Sequence, residues 1–183
     1  KHNHIEFFFI NFKLVYNDPR RFGFFIFFSS KKKLDFYLNK IGPEPFEKKF
    51  NYKYLKKQIN FKKRKIKDIL LDQKIISGLG NIYVNEILFY SKINPLTLGK
   101  KLSDSKLKEI VRYSKFVIKK AINQGGSSIK NFKNSKGQTG NFQNEFRVYN
   151  REGISCPNKC NNLIKKIFVT NRSTFYCKKC QRN

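Results

Sequence analysis

The four cysteines of this 183-residue chain sit close together, as Cys156-x3-Cys160 and Cys177-x2-Cys180, with sixteen residues between the pairs. Two close pairs at such a separation form the pattern of a zinc site. A tight turn makes the two thiolates of a pair converge, and a β-hairpin brings the pairs together. Four sulfurs then complete a tetrahedral shell around one Zn²⁺. Disulfides are the alternative, but the N-terminus shows no signal-peptide pattern that would point to an oxidising compartment. So short a hairpin cannot build a core of its own, and the metal is expected to supply its folding energy. Arg172, Phe175 and Tyr176 lie on the returning side, between strand-like "LIKKIFVT" and the second cysteine pair.

Two further stretches carry groups that suit phosphates or bases. "DPRRFG" at 18–23 offers two guanidinium groups and an aromatic at a loop tip. Arginine pairs with phosphates or base edges, and phenylalanine can wedge between bases. The same residues also suit a basic turn over a Phe core. "GLGN" at 78–81 separates two helical patterns and leaves Asn81 at the start of the second. Unpaired N–H groups there carry partial positive charge and suit a phosphate. An ordinary helical hairpin with glycines for close packing would read alike.

The elements that must position these groups divide into three stretches. "IEFFFINFKLVY" at 5–16 reads as one strand bent near Asn11, and "FFIFFSS" at 24–30 as a strand returning from the "NDPRRFG" turn. The remaining strands of that sheet are expected upstream, since the chain has no Met from which to start. "IGPEPFEKKF" at 41–50 reads as a connector. Beyond it, apolar residues fall at helical spacing. Ile66, Ile69 and Leu70 share a face in "KKRKIKDILLDQ", and "IYVNEILFYSK" forms a second helix. "SDSKLKEIVRYSKFVIKKAINQGG" forms a third, with Ser103 as N-cap, Leu107, Ile110, Val111, Phe116, Val117 and Ile118 as its apolar surface, and Gly125-Gly126 as its stop.

Charge narrows the partners. Forty Lys and Arg against twelve Asp and Glu give a net +28. Such an excess repels itself in the compact state and suggests a polyanion, although a composition rich in Lys, Phe, Ile and Asn also inflates the count. No stretch reaches the roughly 20 apolar residues of a membrane span, so nucleic acid is favoured over membrane.

Taken together and in order, "DPRRFG", "GPEP", "DQKIISGLGNIYVNEILF", "INP", "QGGSSIKNF", "EFRVYNREGISC" and "RSTFYCKKCQ" resemble the bacterial formamidopyrimidine-DNA glycosylases. The resemblance implies an α+β protein in three parts. Residues 1–45 would be the end of an N-terminal β-sandwich, 46–150 a helix–two-turn–helix DNA-binding domain, and 151–183 a zinc-binding β-hairpin. It implies a monomer of the bacterial cytoplasm and nucleoid that removes 8-oxoguanine and formamidopyrimidines from damaged double-stranded DNA, then cleaves the abasic site by β,δ-elimination. By that resemblance Cys156, Cys160, Cys177 and Cys180 hold one structural Zn²⁺. Arg172 contacts phosphate at the lesion and donates the proton for δ-elimination. Arg20 and Phe22 fill the gap left by the flipped base, Arg21 and Asn81 contact phosphate, and His2 and Lys62 contact DNA.

Two departures from the family pattern stand out. The first cysteine pair is spaced x3 where x2 is usual, and the lesion-capping loop reads "GQTGNF" instead of GKPGYF. The family's N-terminal proline nucleophile, its adjacent Glu and its catalytic Lys have no counterpart in these residues, which are therefore expected to be inactive alone. The rival reading is a noncatalytic zinc-ribbon DNA-binding protein. A third is a basic RNA-associated ribbon protein anchored by "KKRK" at 62–65.

Overall fold

The computed structural model describes residues 2–59, 63–128 and 139–182. Lys62 and much of the "NSKGQTGNF" loop, including Gly137, lie outside them. The chain divides into two compact units, Lys1–Leu38 and Asn39–Asn183.

In the first unit, β1 (Asn3–Phe8) pairs antiparallel with β2 (Lys13–Asn17). The single bent strand expected over 5–16 is in fact a hairpin. The Phe9 N–H donates to the Phe12 carbonyl at 2.9 Å, and the two rings stack at 4.4 Å. The Asn11 signal marked a turn, not a bend. The expected return strand over 24–30 is also absent. A strand needs a partner backbone, and among the described residues none pairs with this segment. Ser30 instead opens α1 (Lys31–Leu38), its hydroxyl accepting the Lys33 N–H at 3.4 Å. Helix α1 was not foreseen, and none of its residues is buried.

The second unit holds α2 (Tyr52–Ile59), α3 (Ile66–Leu70), α4 (Asn81–Tyr90), α5 (Asp104–Asn123) and the antiparallel pair β3 (Lys165–Val169) and β4 (Arg172–Tyr176). Helix and strand together make it α+β, as expected. Ile66, Ile69 and Leu70 are fully buried, with Val84, Ile87, Leu88, Leu107, Ile110 and Val117 in the same core. Each such side chain contributes about 1.5–3 kcal/mol of burial. Helix α3 is shorter than its periodicity suggested. The Thr97 carbonyl takes the Ile66 N–H at 2.8 Å and the Arg64 carbonyl takes the Gly99 N–H at 3.0 Å, which holds the preceding residues extended.

The ends of α5 follow the sequence closely. Ser103 caps it, accepting the Lys106 N–H at 3.3 Å. At the other end, the Gly126 N–H reaches the Ala121 carbonyl and the Gly125 N–H the Ile122 carbonyl, with both glycines at positive φ. That paired arrangement closes a helix and needs the left-handed backbone glycine allows. Phe116 departs from expectation: it is 42% exposed and packs at the surface against Tyr90 and Tyr113. Among the described residues no helix is long and apolar enough to cross a membrane.

The connector at 41–50 turns out to brace the turn between α3 and α4. The Gly42 N–H donates to the Gln73 carbonyl and the Ser77 N–H to the Pro43 carbonyl. A Cβ on Gly42 would land on the Ile75 carbonyl. The Gln73 amide spans the turn itself, accepting from the Gly78 N–H and donating to the Leu79 carbonyl.

Candidate metal centre and phosphate-facing edge

The four Sγ atoms lie within 4.8 Å of one another. Cys156 and Cys180 approach to 3.7 Å, and Cys160 and Cys177 to 3.5 Å. A tetrahedral site with Zn–S bonds of about 2.3 Å has S···S edges near ~3.8 Å, whereas a disulfide closes to ~2.05 Å. The donor set therefore fits a closed thiolate site. The extra residue of the first pair is absorbed by Lys159, whose backbone takes φ +51° while its N–H returns to the Cys156 carbonyl at 2.9 Å. Around the cluster Phe89, Val148, Ile164 and Phe175 add a small buried core, with Tyr149 packed against it.

At the far end of the hairpin, Thr170 and Asn171 both have positive φ, which is the two-residue turn that matches strand twist. The Thr170 hydroxyl donates to Asp68 Oδ1 at 2.7 Å, tying the tip to α3. Arg172 follows immediately and is exposed.

The outer edge of β4 would leave its backbone groups unpaired, and polar side chains from α3 and α4 satisfy them. Lys67 Nζ and Asn81 Nδ2 both donate to the Ser173 carbonyl at 3.0 Å. Lys67 also reaches Thr174 Oγ1. The Phe175 N–H donates to Asn85 Oδ1 at 2.7 Å. On the next residue, the buried Glu86 carboxylate accepts the N–H groups of Arg147, Val148 and Tyr149 at 2.9–3.0 Å. Burial pushes this carboxyl up from its ordinary range, and the three N–H groups pull it back.

The result sets Arg172 one residue from a carbonyl held by Asn81. No side chain caps the first turn of α4, so its N–H groups stay open to an anion. Beside that turn, Asn81, Ile82, Tyr83, Gly126, Ser127 and Tyr149 line one concave surface. The Ser127 hydroxyl is buried with no hydrogen-bond partner among the described residues.

Lys67 is completely buried, and burial lowers its pKa to about 8, with Asp68 opposing the shift and Arg172 adding to it. The ordinary lysine value is 10.5. Between these values the unfolded chain holds a proton that the folded chain has lost, so this contribution to stability rises with pH across that window and its full cost is felt below it. Denaturant unfolding from pH 7.5 to 10.5 should show Lys67→Met removing a rise on the order of 3 kcal/mol. An equal rise in the variant would assign it to other groups.

In the first unit, Arg20, Arg21 and Phe22 share one loop, and His2 is tied to the residue that opens it. The His2 carbonyl accepts the Asp18 N–H at 3.1 Å. Phe22 is 74% exposed, and the Arg20 guanidinium stacks on its ring at 4.8 Å. Of the residues singled out from sequence, Lys62 alone falls outside the described residues. Sequence reasoning missed Lys67, Asp68, Asn85, Glu86, Ser127 and Tyr149. Only Glu86 had a signal, as a charged residue on an otherwise apolar helical stretch.

Paired helices clamping a four-cysteine hairpin define a helix–two-turn–helix protein whose tail could hold a metal ion. Residues 41–133 match the formamidopyrimidine-DNA glycosylase H2TH domain. The chain is 38% identical over 181 residues to the formamidopyrimidine-DNA glycosylase of Psychromonas ingrahamii, covering 99% of this chain and 67% of the relative. With that of Haemophilus influenzae the identity is 40%, covering 100% and 67%. Among solved structures, a complex of Lactococcus lactis Fpg with abasic-site DNA is similar at a TM-score of 0.88 and 38% identity, covering all of this chain and 67% of that one. A complex of the G226P mutant of the same protein with Fapy-dG DNA gives 0.90 and 37%, with the same coverage. The chain belongs to the formamidopyrimidine-DNA glycosylase family, and it spans about two-thirds of the length of these relatives.

Proposed function

We propose that this chain carries the DNA-recognition part of a base-excision repair enzyme that removes 8-oxoguanine and formamidopyrimidines and then cleaves the abasic site. The observation that carries the reading is the clamp on β4. Lys67, Asn81 and Asn85 hold the strand that begins with Arg172 against the uncapped first turn of α4. That presents a guanidinium and a set of open N–H groups on one edge, the donor set a bent phosphate backbone requires. The relatives' complexes with abasic-site and Fapy-dG DNA support damaged duplex DNA as the partner.

In this reading the four cysteines hold one structural Zn²⁺, which closes the hairpin and takes no part in bond breaking. Arg172 binds the phosphate beside the lesion and delivers the proton of δ-elimination. Asn81 and Arg21 bind phosphate, His2 and Lys62 add DNA contacts, and Arg20 with Phe22 fills the space vacated by a flipped base. The protein works as a monomer in the bacterial cytoplasm, at the nucleoid. Its parts are 1–45, 46–150 and 151–183, the first contributing to a β-sandwich. On their own the 183 residues bind the lesion without cutting it.

Binding to abasic duplex should weaken linearly in log–log form with salt, with a slope of about −0.9 per phosphate neutralised. Arg172→Ala should make that slope shallower by about one phosphate and weaken binding roughly tenfold. A slope unaltered by the substitution would remove Arg172 from the phosphate contact and take the reading's main support with it.

A further inference from the structure

Loop 18–22 presents a phenylalanine to water, where an aromatic ring would ordinarily fold back on its neighbours. Phe22 stays 74% exposed, so something must hold the backbone that carries it. The side chain of Asp18 takes three backbone N–H groups in and just after that loop. Its Oδ1 accepts from Arg20 at 3.1 Å and Arg21 at 3.0 Å. Its Oδ2 accepts from Gly23 at 2.7 Å and from the Tyr16 hydroxyl at 3.2 Å. The Asp18 carbonyl takes the Arg21 N–H at 3.3 Å, closing a turn with Pro19 at its second position, where a fixed φ suits it. Arg21 is held at φ +56°, a conformation that costs a non-glycine residue energy and persists only where neighbours enforce it.

We infer that Asp18 is the positioning residue of the base-gap wedge: its carboxylate fixes the backbone of Arg20, Arg21 and Gly23 and so sets the pose in which Phe22 enters a duplex. The inference rests on the proposed reading that this loop enters DNA. Unstacking a base step costs a few kcal/mol, and a wedge that must also be ordered on binding adds conformational entropy to that cost. A carboxylate holding the loop beforehand removes the second cost. The Gly23 N–H, followed by the Tyr16 hydroxyl and the N–H groups of Arg20 and Arg21, keeps the Asp18 carboxyl below its usual range. The clasp is therefore charged at neutral pH. His4 faces the same turn, its Nε2 2.9 Å from the Asp18 carbonyl, on the backbone side and not at the carboxylate.

The test uses the full chain and a duplex with a tetrahydrofuran abasic analogue next to 2-aminopurine, whose fluorescence rises when it is unstacked. Phe22→Ala should lose the rise. Asp18→Ala should lose it as well and reduce the preference for abasic over intact duplex roughly tenfold. The part of the salt slope that depends on Arg172 should persist, which a general loss of folding would not allow. Asp18→Asn keeps an acceptor for Arg20 and Arg21 but none for Gly23, and should fall between. An Asp18→Ala response equal to that of the unsubstituted chain would overturn the inference. If the unsubstituted chain and Phe22→Ala respond alike, the loop does not enter DNA, and the inference falls with that reading while the Arg172 result stands apart. Amide exchange of the unsubstituted chain without DNA supplies a check that needs no variant. The Gly23 N–H should be protected, and exchange at the rate of an open loop would also overturn the inference.

Discussion

Cys177→Ser should leave the helices folded and abolish lesion recognition. The Cys177 thiol is fully buried in a small cluster whose other buried large apolar members, among the described residues, are Phe89, Val148, Ile164 and Phe175, with Tyr149 packed against them. So small a core cannot hold five-residue strands against their conformational entropy. Structural zinc, proposed here for the four thiolates, is worth about 10–16 kcal/mol in zinc-finger peptides, so losing one thiolate would remove the main source of order. The edge of β4 then leaves Lys67, Asn81 and Asn85, and Arg172 is no longer held beside α4. Metal content should drop from one ion per chain to near none, and affinity for abasic duplex should drop at least ~100-fold. The helical circular dichroism should remain, because α4 and α5 draw on the separate core around Ile87, Leu107 and Val117. Metal-free protein that still binds abasic duplex with near-normal affinity would show that the hairpin does not carry recognition.

The parts of the site that were legible in sequence share one property: each depends on local spacing. The cysteine pairs announce a tetrahedral shell because each pair needs only a tight turn. Gly125-Gly126 announces the end of α5, and Ser103 its start, because caps are settled within a few residues. Ile66, Ile69 and Leu70 announce a buried face. What stayed hidden depends on partners far along the chain. Lys67, in a run of lysines, looks like a solvated charge, yet it is buried because Ser173 and Thr174, more than a hundred positions on, offer it oxygens. Asn85 looks like an ordinary polar helix residue, and Glu86, the one charge in an apolar helical stretch, shows no partner until the 147–149 turn arrives beside it. The first unit misled for the opposite reason. "FFIFF" has strong strand propensity, but propensity alone does not provide a neighbouring strand to pair with.

We propose that these residues hold the recognition surface and not the nucleophile. Glycosidic cleavage with a covalent intermediate needs an amine, unprotonated and open to the sugar carbon. Lys67 has the lowered pKa such an amine would need. However, it is completely buried, and its Nζ is spent on the Ser173 carbonyl and the Thr174 hydroxyl. The first proline of the chain is Pro19, inside the 18–22 loop, and has no free amine.

The most direct measurement is one gel in which the chain meets an abasic duplex with borohydride present, beside the same chain with intact duplex and no borohydride. A retarded complex that forms preferentially on the abasic duplex, with no covalent protein–DNA band after denaturation and no strand cleavage, is the result predicted. A borohydride-dependent covalent band from these 183 residues would contradict the claim that they lack a nucleophile, and equal retardation of abasic and intact duplex would contradict the claim that they recognise the lesion.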